Sequence, residues 1–429
     1  MIVIGAIFGS CFGGIHSQTF GRKNTILVAI FLFKVGICCI LYHFLLKFMY
    51  QSCVFGSHHA FLFMGQFIMG FATQYLACSI PAYTSEISQP SLRKLSGTFF
   101  ATFFTFGGAL VFLLIALFTV QIALVMILVI TLVNFILVTY CPKSPIWLMK
   151  KGQKEQAFEM LIKTRGCEIV ASDELERIEA NIKEQAPAGK QQSKKSVIKR
   201  LSKNISRSSF RKPFCLLNVL FLLGLQLSGS SIFPIYIDTF LNNTGVTEVI
   251  DPFCAVTFLT LGRVIVDIFT TFVALRVRRR PLYMFAGFVC ATGWLLMGLS
   301  TYFYQNGKHE DLHHILPWIT YFAMALTITG HESGIFIVSF ILLGELLPSH
   351  LRGLGTGLIL LTNNITWCLM VFSFPMLASS LGIDVILFIF SGSMFCVLVV
   401  GYFFIPETFG LTLENIEQRY RNGYIAVWN

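Results

Sequence analysis

The chain is predicted to be an all-α polytopic membrane protein, and three observations carry that prediction. Of its 429 residues 55% are hydrophobic and only 12% are charged, about half the charged share of a soluble domain. Apolar runs of roughly 20 residues recur along it, each long enough as a helix to cross the hydrocarbon core of a bilayer. The short alternating segments of a membrane β-barrel are not evident. The formal charge of +11 sits in loops between the runs, which is how cations orient membrane helices. It therefore implies a lipid bilayer and no nucleic acid.

Runs and breakers place spans near 1–17, 25–46, 60–80, 97–118, 121–140, 214–240, 253–275, 281–303, 316–343, 354–379 and 384–405. The first starts apolar at Met1 with no basic region ahead of it, so it reads as a span rather than a signal peptide. Its beginning, or the span before it, is expected to be missing. Cation-rich loops (Gly21-Arg22-Lys23, Arg93-Lys94, 143–212, Arg276 to Arg280, His350-Leu351-Arg352) alternate with cation-poor ones. The first set is expected to be cytoplasmic and the second exterior. The exterior sequence Asn242-Asn243-Thr244 is a glycosylation sequon with Asn242 as the acceptor.

A polar insert divides five spans from six. The expected organisation is an N-terminal half 1–140, a cytoplasmic linker 141–212, a C-terminal half 213–405 and a cytoplasmic tail 406–429. Within the linker, KEQAFEMLIKTRG and SDELERIEANIKEQ have the spacing of short surface helices. QQSKKSVIKRLSKNISRSS reads as a solvated basic tether. The 12 cysteines mostly fall inside apolar runs without metal-ligand spacing. No nucleophile–base pair shares a face. Neither an enzyme, a metal site nor a cofactor is expected.

A repeat points to function. SEISQPSLRK and GELLPSHLRG place Glu86 seven residues before Arg93 and Glu345 seven before Arg352, and each residue lies 259 from its counterpart. Each pair follows a basic loop, Arg22-Lys23 in one half and Arg279-Arg280 in the other. Topology alone accounts for the arginines but not for glutamates recurring at equal offset. Doubled bundles mark transporters built from parallel halves. Charges at helix ends can hold one face shut and separate when it opens.

The chain resembles the sugar porter family of the major facilitator superfamily, close to facilitated glucose and trehalose transporters. PAYTSEISQPSLRKLSG fits P-x-Y-x-x-E-x-x-x-x-x-x-R-G, with Lys94 for glycine, and FGRKN and RRRPL fit the two copies of the G-R-R/K loop. CPKSPIWLMKKGQKEQA fits P-E-S-P-R-W-L-x-x-x-G-x-x-x-x-A, GELLPSHLRG fits the second Glu/Arg element, and IPETFGLTLENIE fits P-E-T-K-G-x-T-L-E-x-I. The resemblance implies two pseudo-symmetric helical halves with about 11 of the usual 12 spans, the first being absent. It implies facilitated diffusion of a small neutral sugar, hexose or trehalose-like, across the plasma membrane by alternating access. The alternative is a non-transporting sugar sensor or an inactive incomplete homologue. Gln18 and Leu275 stand where the family has aspartate before the basic loops, and Lys143 and Ile146 replace the Glu and Arg of P-E-S-P-R. A weakened cytoplasmic gate follows, with the second-half clasp the better kept.

A sugar site needs neutral donors and acceptors and an aromatic face in a mostly apolar cleft. LQLSGSS resembles the family's Q-Q-x-S-G-x-N, retaining Gln226, with Ser230 and Ser231 near it and Leu225 in place of the first glutamine. Phe340 stands for the tryptophan of a G-P-x-P-W hinge that has no proline here, Asn363 matches an asparagine, Asn364 replaces a tryptophan, and a polar position falls at Ala101. His331 and Glu332 lie within a span, where charge is costly and often functional. Their alternative is a helix break facing water. Arg263 and Asp267, four apart, are expected to pair with each other, and Lys34 to snorkel.

Overall fold

The computed structural model describes residues 1–49, 57–89, 93–185, 208–306, 314–347, 352–408, 416 and 419–420. Helix is the regular structure throughout these residues. Hydrocarbon offers no partner to a backbone N–H or C=O, so each spanning segment must satisfy its own. Eight helices among the described residues are long and apolar enough to cross a membrane. The remaining expected spans are 1–17, inside a 19-residue helix; 97–118, described as the shorter apolar stretch Thr102–Ile115; and 214–240, which is broken.

Packing divides the chain into two units. The first comprises Met1–Gly97, Val120–Phe214 and Leu347–Leu361. It contains α1 (Ile2–Phe20), α2 (Arg22–Met49), α3 (Ser57–Ile87) and α5 (Val120–Tyr140). α1 buries its small residues Gly5, Ala6, Gly9, Ser10 and Gly13 against α3, so closely that a Cβ at Gly5 would lie 2.0 Å from the Phe67 carbonyl oxygen. Small residues let membrane helices meet backbone to backbone. Lys34 departs from the snorkelling expectation: its Nζ lies 3.8 Å from the centroid of the Phe135 ring, a cation–π contact that holds the charge within the helix pair α2–α5.

The linker folds as α6 (Pro145–Lys150), α7 (Lys154–Arg165) and α8 (Glu168–Gln185). α7 ends at Gly166 in the left-handed conformation (φ 70°), as helix C-termini favour. Leu148, Ala157, Leu161, Ala171 and Leu175 form a small core. Arg165 binds Glu174 through Nε at 2.6 Å and Nη2 at 2.9 Å, and donates from Nη1 to the Ile87 carbonyl at 2.7 Å. The α3 C-terminus thereby gains a cationic donor for an otherwise unsatisfied carbonyl. Most of the basic tether lies outside the described residues.

The second unit comprises Thr98–Thr119, Cys215–Leu346 and Thr362–Asn429. The expected span 214–240 is three pieces here: the end of α9 (Ser208–Val219), a π-helical stretch Leu220–Gln226, and α10 (Ile237–Asn243) after a run of turns. Gly224, Gly229 and Pro234 lie in this interruption. Gly229 adopts φ 77°, and a Cβ there would meet the Phe390 ring at 2.4 Å, so only glycine fits. α11 (Pro252–Arg276) and α12 (Arg279–Asn306) follow. α13 (Leu316–Gly330) continues through a π-helical segment, His331–Phe336, into α14 (Ile337–Leu346). The hinge region thus leaves α-helical geometry without a proline, and π-segments often accompany functional sites. α15 (Arg352–Leu381), shared between the units, and α16 (Ile383–Phe404) complete the described helices.

Candidate functional site

The interruption after Val219 aims Gln226 inward. Gln226 is 4% exposed; its Nε2 donates to Asn363 Oδ1 at 2.8 Å and its Oε1 accepts from Ser231 Oγ at 2.8 Å. Three residues singled out in the sequence therefore form one neutral hydrogen-bonded group among apolar helices of the second unit. The half-buried Asn363 keeps its own amide N–H groups for another partner. Asn364, one residue on, points elsewhere: it is buried, and its Nδ2 has no acceptor among the described residues. Phe340 stands in an aromatic cluster, its centroid 4.8 Å from Phe336, 5.4 Å from Phe221 and 5.6 Å from Phe100. The side chain of Ala101 lies outside the described residues.

A second polar group lines a small pocket bordered by Ser230, Arg263, His331 and Glu332 and walled by Phe112 and Phe233. Glu332 Oε1 meets Arg263 Nη2 at 2.8 Å and His331 Nδ1 at 3.2 Å. Ser230 Oγ, Arg263 Nε, His331 Nε2 and Glu332 Oε2 are buried without hydrogen-bond partners among the described residues. His331 and Glu332 are 5% and 7% exposed, so the alternative of a helix break facing water does not hold. The expected Arg263–Asp267 pair also needs correction. α11 packs against the His331–Phe336 segment, so the long guanidinium reaches Glu332 there, while the shorter Asp267 remains beside Thr105 at 1% exposure. Gly330 and Gly334 let the segment pack closely on α12: a Cβ at Gly330 would lie 2.5 Å from Cys290 N and one at Gly334 2.2 Å from Ala286 Cβ.

The helix-end charges form one cluster in each unit. In the first, Arg22 Nε and Nη2 donate to Glu86 Oε1 at 3.2 and 3.0 Å, and Ser144 Oγ donates to Glu86 Oε2 at 2.5 Å. Ser144 also caps α6 by accepting from Trp147 N. Lys23 Nζ donates to the Thr139 carbonyl at 2.7 Å. In the second, Arg279 Nη2 lies 3.8 Å from Glu345 Oε1. Arg280 stacks on Tyr402, 5.0 Å from its ring centroid. The backbone N–H groups of Arg279 and Arg280 donate to Glu407 at 3.1 and 3.3 Å. Of these two contacts the Arg22–Glu86 pair is the shorter, with Ser144 and Arg22 converging on Glu86. Ser144 and Glu407 lie in motifs already quoted from the sequence, yet linear spacing gave no sign that they meet these residues. The side chains of Arg93 and Arg352 lie outside the described residues. Asn242 is exposed on α10, while the Thr244 hydroxyl is buried and donates to the Phe240 carbonyl.

Long apolar helices, paired helix-end charges and buried polar groups with neutral and ionic members describe a membrane carrier. The chain belongs to the family described as sugar (and other) transporters, whose profile matches residues 1–420; its members are carriers rather than enzymes. It is 27% identical to the major myo-inositol transporter of Bacillus subtilis over 98% of this chain and 84% of that protein. It is 25% identical to human solute carrier family 2, facilitated glucose transporter member 6, over 99% of this chain and 82% of that protein. Its fold matches the proton:xylose symporter XylE of E. coli with a TM-score of 0.78 at 17% identity, covering 98% of this chain and 87% of that one.

Proposed function

We propose that the chain moves a small neutral sugar or polyol across a membrane by facilitated diffusion through alternating access. Gln226, Ser231 and Asn363 hold the solute's hydroxyls. The observation that carries this is their shared hydrogen-bonded group, because neutral amides and hydroxyls pair with sugar hydroxyls at no cost in net charge. Hexose, inositol and trehalose-like solutes share that chemistry, and relatives named for myo-inositol and glucose support it. Phe340 supplies an apolar face, with Ser230, His331, Glu332 and Asn364 as further polar contacts. Arg22, Lys23, Glu86, Arg93, Arg279, Arg280, Glu345 and Arg352 serve the cytoplasmic gate. In this reading the protein lies in the plasma membrane with its linker and C-terminus in the cytoplasm, an orientation the cation-rich loops support, and Asn242 is an exterior glycosylation acceptor.

Uptake of labelled D-glucose, myo-inositol and trehalose into cells expressing the chain tests the proposal. At least one solute enters faster than in empty controls. No excess uptake of any, with the protein verified at the surface, overturns it; binding without flux marks the sensor alternative.

A further inference from the structure

A groove runs along the first unit between α2, α3 and α5, while α4 (Arg93–Leu117) falls mostly to the second unit. On α2 it is lined by Phe31, Val35, Cys38 and Tyr42, which recur at the spacing of one helical face. α3 adds Phe61, its ring centroid 4.9 Å from that of Tyr42, and α5 adds Leu132. From Phe31 to Tyr42 this face rises about 16 Å, close to the roughly 15 Å of hydrocarbon in one leaflet. Phe31, Cys38, Tyr42 and Leu132 are exposed, so lipid has access along its length. One charged side chain lines the groove, Lys34. Its counterpart is the Phe135 ring, whose quadrupole attracts a cation without cancelling its charge. α2, α3 and α5 carry a single carboxylate, Glu86, and that one is held by Arg22 and Ser144. The apolar groove therefore contains an ammonium that no anion of these helices neutralises, a costly state inside a bilayer.

We propose that this groove binds a long-chain fatty acid, its carboxylate on Lys34 and its chain along Val35, Cys38 and Tyr42. Charge complementarity fixes the head: an ammonium–carboxylate contact neutralises Lys34 and is about twice as strong as a neutral hydrogen bond. Depth selects a free fatty acid over a phospholipid. Phe135 lies five residues before Tyr140, the end of α5, so the ammonium over its ring sits about 7 Å inside that end. Lys23 donates to the Thr139 carbonyl there, which marks the polar level. A phospholipid phosphate stays with the headgroups outside the hydrocarbon, whereas the small carboxyl head of a single chain follows its tail inward to Lys34.

Palmitic acid carrying a diazirine at its tail, photolysed with the full chain in phosphatidylcholine nanodiscs, tests this, with peptide mass spectrometry locating the adducts. Adducts concentrate near Tyr42 and Phe61, at the far end of the groove from Phe31. Lys34→Gln lowers this labelling about tenfold, as expected for a lost charge-assisted contact, and Lys34→Arg retains it. The methyl ester of the same probe, which has no charge, labels the wild type as weakly as the acid labels Lys34→Gln. Cys38→Phe fills the groove with Lys34 in place and also lowers labelling; melting temperatures verify that each variant is folded. Unlabelled palmitate competes, and phosphatidylglycerol at the same concentration does not. Adducts scattered over all lipid-facing helices, labelling indifferent to Lys34→Gln, or equal displacement by phosphatidylglycerol each overturn the proposal. No readout involves solute flux, so the fatty-acid site and the carrier reading stand or fall separately.

Discussion

The Arg263 guanidinium lies 2.8 Å from Glu332 Oε1, joining α11 to the π-helical segment instead of pairing with Asp267 on its own helix. That choice makes the three residues inequivalent. Removing Arg263 leaves the buried Glu332 carboxylate without its cation, whereas removing the Glu332 charge leaves Arg263 with Asp267 four residues along its own helix. Arg263→Gln is expected to cost about 3 kcal/mol, within the range for an orphaned buried charge, and Glu332→Gln about 1 kcal/mol. Melting of purified variants in detergent checks the asymmetry; equal losses would reduce the cluster to an isolated pair.

The group formed by Gln226, Asn363 and Ser231 predicts coupled effects on solute binding. Gln226→Ala and Asn363→Ala each weaken binding by about 10-fold or more, as expected when a buried hydroxyl partner is lost. The double variant loses less than the product of the two, because the side chains hold each other as well as the solute. Binding of the transported solute, measured for all four combinations, gives the coupling directly.

At the helix ends, Glu86 has the closer partners. Glu86→Gln is expected to lower thermal stability by about 1–3 kcal/mol by loosening Arg22 and Ser144. Glu345→Gln loosens its 3.8 Å contact with Arg279 and is expected to cost about 1 kcal/mol. In exchange assays both variants still bind solute but transport it more slowly. Unchanged rates in both would remove the gate role.

Two glycines in neighbouring segments should respond oppositely to the same added methyl. At Gly334 a Cβ would lie 2.2 Å from Ala286 Cβ, so Gly334→Ala overpacks the contact with α12 and costs about 1–3 kcal/mol. At Gly344 nothing lies within 4 Å, so Gly344→Ala is neutral or stabilises α14 by up to about 1 kcal/mol. Melting temperatures of the two variants decide it.

The spans were legible because hydrocarbon forces apolar helices of a fixed length, a rule that linear composition records. The Gln226, Ser231 and Asn363 positions were legible through motif resemblance, although nothing in the linear spacing showed that Gln226 and Asn363 touch. Less was legible where the outcome depends on how helices pack. Arg263 and Asp267 satisfied the four-residue rule, yet the guanidinium meets Glu332 of the adjoining π-helical segment. The hinge motif ending at Phe340 has no proline here, yet His331–Phe336 leaves α-geometry between Gly330 and Ile337. Ser144 and Glu407 were visible as motif members and invisible as partners of Glu86 and of the Arg279 and Arg280 backbone.

The most direct measurement is exchange of labelled D-glucose and myo-inositol across proteoliposomes containing the purified chain, beside the Gln226→Ala/Asn363→Ala variant. Solute exchange well above protein-free vesicles, falling at least about 10-fold in the folded double variant, is the predicted result. Exchange that the double variant leaves unchanged would place the solute elsewhere and contradict a site built on Gln226, Ser231 and Asn363.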